Sequence, residues 1–178
     1  LILLLLLTNT AFASNPTDEG MLDYTLEVSF DIQASRIIGV ARIPVKKDQE
    51  LKVHKGRLNL VEVTLDGQKI GISARDEMVR ILSSQAGTIE IRYEGVFRGY
   101  EHPEGTSSVI GRQGIFLSGT WYPKPDQTCH YHLIATLPQG YEAVSEAETI
   151  EKTTRDGRTN FSFDFPHPLD SINLIATH

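Results

Sequence analysis

Tyr24, Leu26, Val28, Phe30 and Ile32 are apolar, and Thr25, Glu27, Ser29, Asp31 and Gln33 between them are polar. Ten residues of period two predict a strand with one buried face. Arg36 to Lys47 reads as its partner, with Ile37, Gly39, Ala41, Ile43 and Val45 on one side. Pro44 cannot donate to a ladder, so that end is expected at an edge or a bulge. Leu58 to Leu65 and Gln68 to Ile72 flank Asp66-Gly67, a dipeptide that accepts the positive φ of a tight hairpin turn. Met78 to Leu82 and Thr88 to Glu94 continue the series, the second with Ile89, Ile91 and Tyr93 inward. From Gly95 to Gly114 the periodicity stops, which predicts a long irregular connection.

Alternation resumes at Ile115 to Leu117. Trp121-Tyr122-Pro123-Lys124-Pro125 predicts a rigid aromatic turn, because two prolines fix the backbone. Cys129 to Leu137 is a strand with Cys129, Tyr131, Leu133, Ala135 and Leu137 on one face. Tyr141 to Ser145 and Thr149 to Thr154 follow, and Asp156-Gly157 is a second hairpin signal. Phe161, Phe163 and Phe165 form a core ridge that Pro166 and Pro168 are expected to break, and Ser171 to Thr177 is a last strand. No segment carries the i, i+3, i+4, i+7 repeat of a helix over ten or more residues. About a dozen short strands separated by turn signals predict an all-β fold, a twisted antiparallel β-sandwich or saddle-like pair of sheets.

The first residues stand apart. Leu1 to Leu7 is an unbroken apolar run, and Ala11-Phe12-Ala13 has the small-x-small form of a signal-peptidase site. Residues 1–14 are therefore expected to be the remnant of a secretory signal and the protein to be exported, to a periplasm or the outside; the alternative is a disordered apolar N-terminus. Seven residues fall far below the roughly 20 needed to span a bilayer, so no membrane span is expected here. Residues 15–178 are read as one β-domain. A net charge of −6, spread without blocks, argues against nucleic acid. The single Cys129 excludes an internal disulfide and reads as a small buried hydrophobe.

The candidate chemistry is thin. H-E-x-x-H, G-x-S-x-G, Walker and G-x-G-x-x-G motifs are absent. His130-Tyr131-His132 places two imidazoles on one side of a strand about 7 Å apart. They are candidate metal ligands, but a tight site needs a third or fourth donor. His54, His102, His167 and Asp126 are the residue types available for that, and a solvated strand face is the simpler reading. Trp121 and Tyr122 can stack on a sugar or peptide, or anchor the turn in the core or against another domain. Asn160-Phe161-Ser162 is a formal glycosylation sequon on a strand, and Asp18-Glu19 and Asp76-Glu77 read as solvated surface.

Five stretches, taken in order, resemble the N-terminal β-domain of the aminopeptidase N family of zinc metallopeptidases. They are Tyr24 to Val28, Ile37 to Ile43, Ile89 to Gly95, His132 to Ser145 with its Pro138-Gln139-Gly140 turn, and Asn160 to Phe165 running on to Ile175-Ala176. In the well-known members, the segment ahead of the fourth stretch reads roughly T-Q-x-x-x-x-x-A-R-x-x-F-P-C-x-D-E-P, and its Gln helps hold the substrate's free amine. Here Ser118 or Gly119 stands at the Gln position, Asp-Glu-Pro is missing, and Trp121-Tyr122-Pro123 takes its place. This resembles a divergent branch, and the amine-binding role does not transfer.

The resemblance implies a non-catalytic domain that caps the cleft of a downstream catalytic domain on the same polypeptide. That domain would hold the zinc through H-E-x-x-H and bind a peptide substrate. No catalytic residue and no cofactor are expected on this chain. The residues expected to face the cleft are Ser118, Gly119, Thr120, Trp121 and Tyr122. The alternative is a stand-alone envelope β-sandwich that binds a peptide or glycan through the same aromatic loop.

Overall fold

A computed structural model describes residues 21–72, 76–99 and 108–178. The apolar leader, the Asp18-Glu19 pair, His102 and the middle of the Gly95 to Gly114 connection lie outside the described residues. Among the described residues there is no helix, and fifteen strands form three sheets.

In chain order the strands are β1 (Leu22–Asp31), β2 (Arg36–Val45), β3 (Glu50–His54), β4 (Asn59–Leu65), β5 (Gln68–Lys69), β6 (Met78–Leu82), β7 (Gly87–Val96) and β8 (Val109–Gly111). They continue as β9 (Gly114–Leu117), β10 (Lys124–Pro125), β11 (Cys129–Pro138), β12 (Glu142–Val144), β13 (Thr149–Arg155), β14 (Arg158–Leu169) and β15 (Leu174–Thr177). The large sheet has the order β13-β14-β11-β1-β2-β7-β4-β5, and two smaller ones have the orders β10-β3-β6 and β12-β15-β9-β8.

The all-β expectation holds, and the alternation is met along β1, β2, β7 and β11, whereas β13 is exposed along its whole length. Leu22, Tyr24, Leu26 and Val28 are buried, as are Ile37, Ala41, Ile43 and Val45 next to them. One buried cluster takes in the inner faces of all three sheets. Both Asp-Gly turns form as expected, with φ of 47° and 80° at Asp66-Gly67 and 52° and 73° at Asp156-Gly157. Gly39 lies opposite Tyr93, and a Cβ there would stand 2.4 Å from the ring. Only glycine lets that ring lie flat across the strand.

Four features differ from the expectations. First, the strands divide into three sheets rather than two. Second, the centre of the large sheet is parallel: β1 pairs with β11 from Leu22↔Cys129 to Ser29↔Thr136. Strands so far apart in sequence are free to run in the same direction, because a long connection joins them. Third, β3, β8 and β10 form where no strand was expected, β3 because Leu51 and Val53 bury themselves between polar neighbours and β10 at the end of the Trp-Tyr-Pro turn, paired with β3. Fourth, β14 runs through Pro166 and Pro168 to Leu169. The register against β11 shifts between Cys129 and Tyr131, and β13 pairs no further than Asp164. Both prolines thus sit on a strand free on one side and bulged on the other, where no ladder donor is missed. Pro44 is the milder case: it pairs with Thr88, but the β1 side of β2 ends at Arg42.

Candidate functional site

The Trp-Tyr-Pro turn links β9 to β10, and the structure puts its aromatics inside the protein. Trp121 and Tyr122 are both 0% exposed. The Trp121 indole N–H donates to the Ile172 carbonyl at 2.9 Å. The Tyr122 hydroxyl donates to the Tyr131 hydroxyl at 3.3 Å and accepts from the Ile172 amide at 3.3 Å. The Tyr24 hydroxyl donates to the Pro123 carbonyl. The rings meet mostly edge to face: Trp121 and Tyr122 have centroids 4.9 Å apart, Tyr24 and Tyr131 5.5 Å, and Tyr122 and Tyr131 5.8 Å. Such pairs add about 0.5–1.5 kcal/mol each beyond the area they bury.

Burial keeps this cluster uncharged. It pushes the Tyr122 hydroxyl up to about 12 and raises those of Tyr24 and Tyr131 as well. It also pushes the Cys129 thiol up to about 12, so the thiol is inert at neutral pH, in keeping with a buried hydrophobe. The cluster is a neutral hydrogen-bonded anchor with no acid, base or nucleophile poised at pH 7. The expectation that Trp121 and Tyr122 face a cleft is corrected accordingly. Two rings without exposed surface shape the loop from beneath and cannot touch a ligand. What the turn shows to solvent is Gly119, with Ser118 and Thr120 half-buried beside it.

His130 and His132 project from the opposite side of β11 into a shallow groove of about 240 Å³ lined also by Asp23, Thr25, Asp164 and Pro166. Within it each imidazole faces a different carboxylate. His130 Nδ1 lies 3.6 Å from the Asp23 carboxylate, its cross-strand neighbour on β1. His132 Nδ1 lies 3.8 Å from Asp164, its neighbour on β14, and Ser162 Oγ is 3.4 Å from Nε2. The other residue types considered as donors are elsewhere: His54 pairs with Asp126 at 3.4 Å, and His167 pairs with Glu148 at 2.9 Å. Among the described residues, no group of three or more His, Cys, Asp or Glu side chains is placed to hold a metal. The described part of the chain therefore offers no fit for a zinc ion.

One feature could not be foreseen from the pattern of any single strand. On the outer face of the β12-β15-β9-β8 sheet, Val109 lies opposite Phe116, Phe116 opposite Ile175, and Ile175 opposite Val144. Four apolar side chains thus stand in one cross-strand row, with Val144 55% and Ile175 44% exposed. Each is an ordinary outward residue of a three- or four-residue strand, and only the register aligns them.

No sequence profile of a known protein family matches the chain, and no curated protein matches it by sequence. Its three-dimensional structure does find matches. An M1 zinc metallopeptidase from Deinococcus radiodurans superposes with a TM-score of 0.69 at 14% identity, over 89% of this chain and 42% of that one. A mutant of that enzyme bound to a Tyr-Ser-Ala substrate gives 0.68 at 14% identity, over 89% and 43%. A two-domain M1 zinc metallopeptidase mutant bound to L-arginine gives 0.66 at 16% identity, over 88% and 42%. The chain has a fold found in M1 zinc metallopeptidases. It spans about two fifths of the length of the metallopeptidases it matches. This agrees with the resemblance carried by the strand motifs between Tyr24 and Ala176.

Proposed function

We propose that this chain is the non-catalytic N-terminal β-domain of an exported M1-type metalloaminopeptidase. In this reading it caps the active-site cleft of a catalytic domain on the same polypeptide. The observation that carries the proposal is the extent of the fold match: nearly all of this chain superposes on less than half of a zinc metallopeptidase. The order of the five strand motifs adds to it, and the apolar leader with Ala11-Phe12-Ala13 supports export. Zinc, the peptide substrate and the reacting groups belong to the rest of the enzyme. The part of this chain nearest the cleft is assigned to Ser118, Gly119 and Thr120, held in place by the buried Trp121 and Tyr122. The burial of both rings also counts against the stand-alone binding module, which needs an exposed aromatic surface to stack a peptide or glycan.

The test is to express the complete reading frame without its leader and assay a panel of aminoacyl chromogenic amides with and without a zinc chelator. Hydrolysis that the chelator abolishes and added zinc restores is the expected result. A frame with no such activity and no zinc-binding helix overturns the proposal.

A further inference from the structure

The large sheet ends in two unlike edges. One is β5, with two residues. The other is β13, with seven, all exposed, and among the described residues it pairs with β14 alone. A free edge offers unpaired main-chain groups to another strand, and proteins blunt it with short strands, prolines, bulges or charges. β5 is blunted by its length. β13 contains no proline, and its register runs from Thr149↔Asp164 to Arg155↔Arg158 without a shift. Of these devices it has charge alone, in Glu151, Lys152 and Arg155. The order of those charges excludes most pairings and fits one.

The Asp156-Gly157 turn decides which main-chain groups are free. Arg155 and Arg158 close it as a hydrogen-bonded pair. Hydrogen-bonded pairs then alternate along the hairpin at Thr153↔Asn160, Glu151↔Ser162 and Thr149↔Asp164. In keeping with this, the Asp164 carbonyl faces the β13 side and accepts from the Glu148 amide at 3.1 Å. Ile150, Lys152 and Thr154 therefore turn their N–H and C=O groups to the open edge. Side chains alternate as well. Glu151, Thr153 and Arg155 lie on the outer face, paired with Ser162, Asn160 and Arg158, while Phe161 and Phe163 between them are buried. Lys152 lies on the other side, where it pairs with Glu142 and stands 5.5 Å from the centroid of the Phe161 ring.

We propose that β13 pairs antiparallel with β13 of a second copy of this chain, about a two-fold axis through Thr153, so that the two large sheets become one. Bonds form only where the outward-turned residues Ile150, Lys152 and Thr154 stand opposite one another. With the axis at Thr153, Lys152 and Thr154 of the second copy exchange both main-chain hydrogen bonds, and the symmetry repeats the pair. Glu151 then stands opposite Arg155 of the second copy, twice, at the non-hydrogen-bonded positions where side chains come closest. Opposite charges and Thr–Thr pairs are both favourable there, and Thr153 meets its own copy. In the single copy Arg155 sits 3.4 Å from the adjacent Asp156, an exposed pair that holds it weakly. The other registers fail. An axis at Lys152 sets lysine against lysine, and an axis at Glu151 sets glutamate against glutamate, and like charges directly opposite are destabilising. An axis at Ile150 or Thr154 leaves a single self-pair of outward residues within β13. The pairing takes nothing from the metallopeptidase reading, since the strand and its charges all belong to this chain.

Disulfide cross-linking tests the axis, because Cys129 is buried and does not compete. Thr153→Cys and Glu151→Cys are made separately in the product of the complete reading frame without its leader, and each is exposed to a mild oxidant. Across the axis the two Thr153 Cα atoms would lie about 4.5 Å apart, within disulfide reach. The two Glu151 residues would be offset by four positions, about 14 Å along the strands, beyond that reach. Thr153→Cys is expected to give a linked dimer and Glu151→Cys none. Sedimentation equilibrium then tests the charges. The parent is expected to be dimeric. Arg155→Glu and Glu151→Arg each set like charges opposite and are expected to raise the dissociation constant roughly tenfold or more, and the double variant to bring it back to within about threefold of the parent. A monomeric parent overturns the proposal. So does a dimer that links through Glu151→Cys and not through Thr153→Cys, or one that both single charge variants leave unchanged. Single variants that dissociate without recovery in the double overturn it too, because the two charges then do not face each other. None of these results bears on the metallopeptidase reading, which the chelator assay decides.

Discussion

The outer faces of the large sheet and of the β12-β15-β9-β8 sheet are held in place by different means. On the large sheet, stability comes from below, through long strands and their buried residues, while the ion pairs above are partly exposed and redundant. Exposed pairs contribute about 0–1 kcal/mol each. The small sheet has strands of only three and four residues and little ladder of its own. It depends on a few anchors that tie its borders to the core. Trp121 to Ile172 is one, and Glu146 to Asn173 is another. The apolar row of this face has no charge lattice to fix its shape, so its shape is fixed from behind.

The largest predicted effect tests that dependence. Trp121→Ala removes a fully buried indole and leaves the Ile172 carbonyl without its donor. The expected loss is about 3–5 kcal/mol, the usual range for truncating a buried large aromatic. Urea unfolding followed by circular dichroism measures it. A loss below about 1 kcal/mol would show that the small sheet stands without the anchor and would erase the contrast.

How much of this was legible in the sequence depends on the range of the interaction. The two Asp-Gly turns were readable because positive φ is a property of the dipeptide itself. The inward faces of β1, β2, β7 and β11 were readable because alternation over about ten residues has one physical cause. Alternation shows which way a side chain points and is silent about which strand lies beside it. The parallel β1–β11 pair and the division into three sheets were therefore out of reach. The prolines of β14 looked like a stop because the bulge that accommodates them is made by Cys129 to Tyr131, some 35 residues away in sequence. The same blindness hid the Val109–Phe116–Ile175–Val144 row, which exists only once the four strands are in register. Trp121 and Tyr122 were conspicuous in the sequence, but a solitary Trp stands out equally as an anchor or as a contact. Only the Ile172 hydrogen bonds decide for the anchor.

A smaller effect is expected on the large sheet. Arg42 bridges Glu27 and Glu90, with its Nε 3.0 Å from the Glu90 carboxylate. Arg42→Ala should cost about 0.5–1 kcal/mol at low salt, because each pair is partly solvated. The difference from the parent should shrink as salt is raised toward 1 M, where screening acts within about 3 Å. A salt-independent loss of 3 kcal/mol or more would mean that this face too rests on a buried anchor.

The smallest effect separates the faces by pH. Partial burial alone would raise the Glu146 carboxyl, but hydrogen bonds from the Asn173 side chain and amide, with a further one from Ser145, outweigh it and hold the group below its ordinary value of 4.5. A carboxyl whose folded value is depressed lends stability that is present above its unfolded value and is lost as pH falls through the folded one. The contribution is therefore intact at pH 6 and fades below about 4.5. Since the group is exposed to solvent, the expected size is at most about 0.5–1 kcal/mol. Glu146→Gln keeps the shape and removes the charge. It should lower stability slightly at pH 6 and leave it equal to the parent near pH 3. Because Asn173 is the residue that leads into β15, the same titration should loosen the border of the apolar sheet first. Amide exchange in β15 should then rise between pH 5 and pH 3 in the parent, relative to β2, and rise less in Glu146→Gln. Equal acid sensitivity of β15 in both proteins would remove Glu146 from the anchors and leave Trp121 to hold that border.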